Sequence, residues 1–263
     1  MTLIAPSMLA ADFLHLEKDV QLVNEYADLF HLDVMDGIFV PNISYGFPVV
    51  EAIARKATKP LDAHLMIIKP ETYVERFAKT GVQMLSFHLN ATENPGQVLK
   101  QIRDLGMKAG LAINPDIPVE LLYPYLDQCD YVLLMSVFAG FGGQKFIEAT
   151  YDRVAAVKAE IERRGLNCQI QVDGGVSASN SKKLVEMGAE ILVAGSAVFK
   201  AEDPAAVIAA IFLIAFMLSS SLENMCLSGL RVFPFFIDNR FRRYNDRTPG
   251  SRRSQQPLLS DPH

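Results

Sequence analysis

The sequence predicts an α/β protein whose main domain is a (β/α)8 barrel, followed by an atypical C-terminal tail. Three observations support this fold class. Short apolar runs alternate with longer segments of helical period, which is typical of parallel βα units. The chain has 263 residues, and eight such units fit within the first 211 of them. The turn after the first apolar run lacks the GxGxxG pattern of a doubly wound dinucleotide-binding sheet.

The eight candidate strands are short and rich in apolar residues. In chain order they are Leu3–Ser7, Leu29–Met35, Leu61–Met66, Met84–His88, Lys108–Ile113, Tyr131–Ser136, Gln169–Val172 and Ile191–Ala194. Helical patterns follow, such as Thr150–Arg163 and Asn180–Met187, and the eighth helix is expected to begin at Pro204 after the cap residue Asp203. Eight units of this length match a small TIM barrel with few insertions. An open doubly wound sheet, which usually has five or six strands, is the structural alternative.

Composition and charge narrow the class of protein. Half of the residues are hydrophobic and the net charge is −5, which predicts a globular domain and gives no reason to expect a nucleic-acid partner. The three cysteines, Cys129, Cys168 and Cys226, form no CxxC pair, so neither a disulfide framework nor a cysteine zinc site is expected. Residues 1–14 lack the basic start and long apolar run of a signal peptide. We therefore expect a cytoplasmic protein.

Residues 212–263 differ in composition from the rest of the chain. They carry seven arginines, no lysine and four acidic residues, a net charge of +3, against −8 for residues 1–211. We therefore predict a barrel domain at 1–211 and a tail at 212–263 that is partly an apolar helix and then disordered. The apolar run Ala205–Leu218 is shorter than the roughly 20 residues that span a bilayer. A membrane partner is not expected, and a membrane-tethered barrel is the alternative.

Two imidazoles and two carboxylates lie at the carboxyl ends of three predicted strands. Side chains alternate along a strand with period two, so His31 and Asp33 share one face of the second strand. His64 lies near the carboxyl end of the third strand, on the same face as Met66, and Asp173 follows the seventh strand. Each residue alone is typical of a structural hydrogen bond. Together they form a suitable donor set for one zinc, iron, manganese or cobalt ion.

The two carboxylates, Asp33 and Asp173, come from strands far apart in the chain. They are therefore expected on opposite sides of a substrate held over the metal, one as the base and the other as the acid. A metal bound to a ketone and its neighbouring hydroxyl acidifies the adjacent C–H and stabilises an enediolate. Met35, Met66 and Met135 either form a polarisable wall of this site or are ordinary core residues.

Glycine-bearing turns follow the last three predicted strands. Such turns in a TIM barrel commonly bind phosphate through free backbone N–H groups. A single glycine pair is more often an ordinary turn, whereas three at successive strand ends indicate a phosphate site. Ser7, at the end of the first strand, adds a hydroxyl from across the barrel. The turn residues are Gly140, Phe141, Gly142, Gly143, Gly174, Gly175, Gly195 and Ser196.

These residues lie in longer motifs. The motifs are APSMLAADF from residue 5, HLDVMDGIFVPN from 31, LDAHLM from 61, GFGGQKF from 140, VDGGV from 172 and AGSAV from 194. Together they resemble the ribulose-phosphate 3-epimerase family, whose members interconvert D-ribulose 5-phosphate and D-xylulose 5-phosphate. The resemblance covers about residues 3–211.

The resemblance implies a TIM-barrel isomerase of the pentose phosphate pathway with one divalent metal per subunit. It implies the metal ligands His31, Asp33, His64 and Asp173, with Asp33 and Asp173 as the acid/base pair. It matches Met35, Met66 and Met135 to a wall of the site. We expect a phosphorylated ketose as the partner and a homo-oligomeric protein. The implied substrate contacts are Ser7, His64, Gly140, Phe141, Gly142, Gly143, Asp173, Gly174, Gly175, Gly195 and Ser196.

Two features depart from the family pattern. Phe138 and Ala139 stand where the family usually has Asn-Pro, which predicts a looser loop over the substrate and slower turnover. Relatives end soon after the eighth helix, so residues 212–263 indicate an altered reading frame, retained intron sequence or an added extension. Two functional alternatives stay open: an epimerase of a ketohexose 6-phosphate such as D-allulose 6-phosphate, and a catalytically impaired barrel that only binds ligand.

Overall fold

Eight strands, β1 to β8, form the centre of the fold. The computed structural model describes residues 2–219, with side chains described as far as residue 213. The eight strands share a pattern of short, almost completely buried segments. They are β1 Leu3–Pro6, β2 Phe30–Met35, β3 Leu61–Met66, β4 Met84–His88, β5 Lys108–Ile113, β6 Tyr131–Met135, β7 Gln169–Asp173 and β8 Ile191–Ala194.

The strands form one parallel sheet that curves into a barrel. Their order in the sheet is β1-β8-β7-β6-β5-β4-β3-β2, and a parallel bridge between Ser7 and His31 joins β1 to β2 at the two ends of this order. The predicted TIM barrel is confirmed, and the doubly wound alternative is wrong. The predicted strand bounds differ from the observed ones by one residue at a few ends. The largest consequence is that Asp173 closes β7 itself instead of lying in the loop after it.

Helices lie between successive strands, as the βα alternation predicts. After β5 a 3-10 segment, Val119–Tyr125, replaces an α-helix, because Pro124 within it cannot donate a helical hydrogen bond. The predicted helix from Thr150 is observed, and the one predicted from Asn180 begins two residues earlier. The helices are α1 Leu16–Tyr26, α2 Phe47–Ala54, α3 Val74–Lys79, α4 Pro95–Asp104, α5 Thr150–Arg164, α6 Ala178–Glu186, α7 Ser196–Phe199 and α8 Pro204–Ser219.

The last helix, α8, begins where the sequence predicts. The Asp203 carboxylate accepts a hydrogen bond of 2.9 Å from the backbone N–H of Ala206, which caps the first turn. Ile208 and Ile211 are buried against the barrel. The helix continues past residue 211 to Ser219, so the domain boundary proposed from composition falls within a helix. The rest of the tail, including the segment predicted to be disordered, lies outside the described residues.

No helix within residues 2–219 is long and apolar enough to cross a membrane. Cys129 and Cys168 are buried free thiols, and Cys226 lies outside the described residues.

Period-two alternation along the strands separates two environments. On β2, Leu32 and Val34 face outward and join the main core between the strands and the helices. His31 and Asp33 lie on the other face, inside the barrel. Part of the interior is filled by a smaller apolar cluster that includes Ala5, Met84, Tyr131, Ile191 and Val193. Buried polar side chains, among them His31, Asp33, Asp62, His64 and Gln171, occupy another part of it.

Candidate metal centre and active site

Four side chains from β2, β3 and β7 meet at the carboxyl end of the barrel. His31, Asp33, His64 and Asp173 each offer one ligand atom, and these atoms all lie within 4.8 Å of one another. The two histidines are fully buried, and Asp33 and Asp173 have exposed side-chain fractions of 4% and 13%. The register that pairs Asp33 with His64 across β2 and β3 sets two of the four at the same level.

The distances within this group suit a single divalent ion. Asp33 Oδ1 lies 3.3 Å from His31 Nε2 and 3.1 Å from His64 Nδ1, and His64 Nδ1 lies 4.0 Å from Asp173 Oδ2. Ligand atoms about 2.1 Å from a tetrahedral ion lie about 3.4 Å apart. His31 Nε2 is buried without a hydrogen-bond partner. The donor types and the unpartnered nitrogen therefore fit a metal site.

Each histidine has its second ring nitrogen held by another side chain. His31 Nδ1 lies 2.8 Å from Asp62 Oδ2, and His64 Nε2 lies 2.9 Å from His88 Nε2. These contacts leave Nε2 of His31 and Nδ1 of His64 facing the centre. Sequence reasoning did not identify Asp62 or His88. Asp62 precedes His64 by two residues on β3, so period-two alternation was the signal that could have found it.

The two carboxylates of the group differ in acidity. Burial opposes ionisation of Asp33, but the charge of the neighbouring His31 and a hydrogen bond from His64 outweigh it and hold the pKa of Asp33 well below its usual range. The Ser7 hydroxyl also donates to Asp33 Oδ2. Burial, and then the charge of Asp33, raise the pKa of Asp173 to about 6. One carboxylate therefore favours the ionised form and the other retains a proton more readily.

A cavity of about 530 Å³ opens beside this group of four side chains. Asp33 and Asp173 line it, whereas His31 and His64 are not among its lining residues. Fourteen of the site residues predicted from the sequence line this one cavity, and the two histidines of the group lie behind it. Besides Asp33 and Asp173, the twelve others are Ser7, Met35, Met66, Met135, Gly140, Phe141, Gly142, Gly143, Gly174, Gly175, Gly195 and Ser196.

The turn after β7 requires glycine for two reasons. Gly174 and Gly175 have φ angles of +114° and +63°, which L side chains rarely adopt. A Cβ on Gly174 would lie 2.4 Å from Val137 Cγ2, and one on Gly175 would lie 2.8 Å from the backbone nitrogen of Phe146. The turn therefore packs directly against the segment after β6, with backbone rather than side chain at the cavity.

The loop after β6 is anchored at its base. Asn42 donates from Nδ2 to the Gly140 carbonyl at 2.7 Å, and the Ala139 N–H donates to Asn114 Oδ1 at 3.0 Å. Gln144 donates to the carbonyl groups of Phe138 and Phe141 at 2.6 and 2.8 Å. Although the family's Asn-Pro is absent at 138–139, three amide side chains hold this loop. Sequence reasoning missed Asn42 and Asn114 because both lie on loops that are distant in the chain from this one.

Further lining residues were not found from the sequence. Lys200 is the one cationic side chain among the described residues that line the cavity, and it follows α7 directly. Its closeness in sequence to Gly195 and Ser196 was the available signal. The residues missed are Leu9, Ala10, Asn42, Val137, Phe138, Gln144, Val176, Ser177, Ala197 and Lys200.

Comparison with known proteins assigns the chain to a family. The sequence model described as the Ribulose-phosphate 3 epimerase family matches residues 3–199. The chain belongs to the ribulose-phosphate 3-epimerase family. The ribulose-phosphate 3-epimerase of Synechocystis sp. is 46% identical over 211 residues, which cover 79% of this chain and 92% of that protein. The ribulose-phosphate 3-epimerase of Mycobacterium bovis is 44% identical over 212 residues, covering 80% and 91%.

The solved structures agree on the fold of this epimerase. The crystal structure of KGPDC from Streptococcus mutans superposes with a TM-score of 0.64 at 14% identity, covering 82% of this chain and 98% of that one. At this identity the likeness concerns the barrel alone. The relatives make the chain an isomerase of the epimerase class, and they support the ribulose-phosphate interpretation over a ketohexose phosphate or an impaired barrel. The family match ends before α8.

Proposed function

We propose that this epimerase interconverts D-ribulose 5-phosphate and D-xylulose 5-phosphate by transferring protons at C3. One observation carries the proposal. Two carboxylates, Asp33 and Asp173, belong to the same group of candidate metal ligands and both lie at the cavity. The cavity volume of about 530 Å³ lies in the range typical of small-molecule sites. The names of the relatives indicate the same substrate.

Four atoms would hold one divalent metal: His31 Nε2, Asp33 Oδ1, His64 Nδ1 and Asp173 Oδ2. Zinc, iron, manganese and cobalt all accept such a mixed imidazole and carboxylate set, and which is bound depends on availability as well as geometry. The chemistry that a bound ion supplies is Lewis-acid polarisation of the ketose oxygens, which lowers the energy of an enediolate.

The two aspartates then divide the proton transfer. One carboxylate removes the proton from C3, so that the C3–H electron pair enters the enediolate. The other, in its protonated form, delivers a proton to the opposite face of C3 as the electron pair returns. The opposed pKa shifts of Asp33 and Asp173 support such a division into base and acid. In the reverse direction the two residues exchange roles.

Backbone N–H groups of the glycine turns bind the phosphate in this proposal. Gly174, Gly175 and Gly195 leave the backbone at the cavity without intervening side chains. Ser196 begins α7 beside them, and the charge of Lys200 offsets the acidic net charge of the chain locally. Met35 and Met66 belong to a small apolar cluster on the opposite side, where they exclude water from the reacting carbons.

Three predictions about the protein as a whole accompany this proposal. A cytoplasmic location and a homo-oligomeric state stay predictions from the sequence and the family resemblance. The division into a barrel at 1–211 and an added tail also stays a prediction.

The test is a coupled assay on the full-length protein. The protein is stripped with a chelator, reloaded with each of the four divalent metals, and supplied with D-ribulose 5-phosphate. We expect metal-dependent formation of D-xylulose 5-phosphate, with little activity on a ketohexose 6-phosphate. Metal-loaded protein that leaves D-ribulose 5-phosphate unchanged would falsify the proposal.

A further inference from the structure

A second set of polar side chains lies inside the barrel, one layer below the metal ligands. Asp62 on β3 and Gln171 on β7 precede His64 and Asp173 by two residues, so they share the inner face of their strands. Tyr131 begins β6 in the same layer. A barrel interior is normally filled with branched apolar residues, so a polar layer here requires an explanation.

Asp62 is the centre of this layer. It is fully buried, and its carboxylate accepts hydrogen bonds from Tyr131 Oη at 2.8 Å, Gln171 Nε2 at 2.6 Å and His31 Nδ1 at 2.8 Å. Among the ion pairs of the described residues, its partner is His31. A buried carboxylate is unfavourable unless it is paired and hydrogen-bonded. The contacts of Asp62 meet that condition, and one of them leads directly to a metal ligand.

The barrel provides space for this arrangement at the expense of another side chain. A Cβ on Gly110 of β5 would lie 2.3 Å from Tyr131 Cζ and 2.8 Å from Ser86 Cβ. Any residue larger than glycine would therefore displace the Tyr131 ring. Because the ring reaches across the barrel, its hydroxyl can bind Asp62. The lack of a side chain at Gly110 thus leaves room for the Tyr131 ring, and the Tyr131 hydroxyl holds the Asp62 carboxylate.

The other ligand histidine has a different kind of partner. His64 contacts His88, an imidazole whose own Nδ1 is buried without a partner in the described structure. Either ring of this pair can donate the shared proton, so the contact does not fix the tautomer of His64. A carboxylate only accepts, so Asp62 permits one tautomer of His31, with the proton on Nδ1.

We propose that Asp62 is a positioning residue for the metal, which holds the His31 proton on Nδ1 and thereby directs the Nε2 lone pair to the ion. Tyr131 and Gln171 keep the carboxylate in place by filling its remaining acceptor positions. The inference rests on the proposed metal centre. It assigns to a residue that touches neither metal nor substrate the task of setting metal affinity.

The experiment measures metal affinity directly in Asp62→Asn and in a matched control, Asp130→Asn. Asp130 lies outside the ligand group, and its carboxylate accepts a hydrogen bond of 2.8 Å from the backbone N–H of Ala109. Competition with a chromophoric chelator for zinc and for cobalt gives the affinity of each protein. We expect Asp62→Asn to bind roughly 10- to 100-fold more weakly than wild type, and Asp130→Asn to bind like wild type.

The outcomes separate this inference from the proposed function. Wild-type affinity in Asp62→Asn would overturn the role of Asp62 and leave the metal centre intact. Failure of the wild-type protein itself to bind metal would overturn both. If Asp62→Asn does not fold, ¹⁵N NMR of histidine-labelled, zinc-loaded wild-type protein decides. A proton on Nδ1 of His31 with Nε2 coordinated supports the inference, and coordination through Nδ1 contradicts it.

Discussion

The two sides of the cavity at the carboxyl end of the barrel differ in what lines them: side chains on one, and glycine backbone on the other. On the side of β2 and β3, buried side chains converge, and each histidine ligand is held from behind by another side chain. On the side of β6 to β8, the cavity is lined largely by glycine turns, where backbone replaces side chain. The first side suits chemistry on carbon and the second suits binding of an anion.

This difference predicts which substitutions should lower kcat and which should raise KM. Removal of a functional group on the ligand side should lower kcat, because groups that act in the transition state are lost. Distortion of the glycine side should mainly raise KM, because the phosphate is held equally in the ground state and the transition state. Asp173 belongs to both sides, since it closes β7 and directly precedes Gly174.

The largest effect is expected for the two aspartates. Asp33→Asn and Asp173→Asn should each lower kcat by about 10³-fold or more, since in the proposed mechanism each removes one proton-transfer group and one metal ligand. The diagnostic measurement is exchange of the C3 proton in D₂O, followed by NMR on both substrates. With metal affinity measured and saturating metal supplied, one variant should retain exchange on D-ribulose 5-phosphate only and the other on D-xylulose 5-phosphate only.

Asp130→Asn serves as the control for loss of a carboxylate away from the mouth, and it should retain turnover. Loss of exchange on both substrates in both metal-loaded variants would count against two separate bases. Full turnover in either variant would remove that residue from the mechanism.

A smaller effect is expected at the glycine turn. Gly175→Ala places a side chain at φ +63°, with its Cβ 2.8 Å from the Phe146 nitrogen. We expect KM for the sugar phosphate to rise about tenfold as the turn shifts, with a stability loss of about 1–3 kcal/mol.

Gly165→Ala is the matched control, because Gly165 has a φ of +61° and open space around its missing Cβ. It should lose about 1 kcal/mol of stability, through backbone strain alone, and keep the wild-type KM. Thermal unfolding and steady-state kinetics measure both quantities. An equal rise of KM in the two variants would show that strain, and not the close approach to Phe146, is responsible.

Local sequence pattern predicts part of the active site, whereas contacts between distant parts of the chain determine the rest. Period-two alternation identifies His31, Asp33 and His64 because each strand alone determines which face a side chain occupies. The role of Gly110 depends on Tyr131 from the next strand, and the role of Asn42 depends on a loop 98 residues away. Such pairings require the closed barrel. The boundary at 211 rests on composition, whereas α8 continues because its apolar residues continue without a break.

A modest effect is expected for Asn42, whose side chain anchors the loop after β6. Asn42→Ala removes the hydrogen bond to the Gly140 carbonyl, and about 1 kcal/mol of lost loop anchoring corresponds to a fivefold rise in KM. Asn24→Ala is the control, since Asn24 donates a similar bond to the Lys56 carbonyl on the outer surface. A fall in kcat without a change in KM would place Asn42 on the chemical side of the mouth.

The smallest effect is expected for Lys200, which follows α7 and is exposed at the cavity rim. An exposed charge in water contributes little to binding, but it attracts an anion over a distance that salt screens. Lys200→Met should therefore lower kcat/KM about two- to threefold at low ionic strength, and the difference should vanish near 0.5 M salt because the Debye length then falls to a few ångströms. A loss that persists in salt would mean that Lys200 contacts the phosphate directly, which would make the glycine side a site of side-chain as well as backbone recognition.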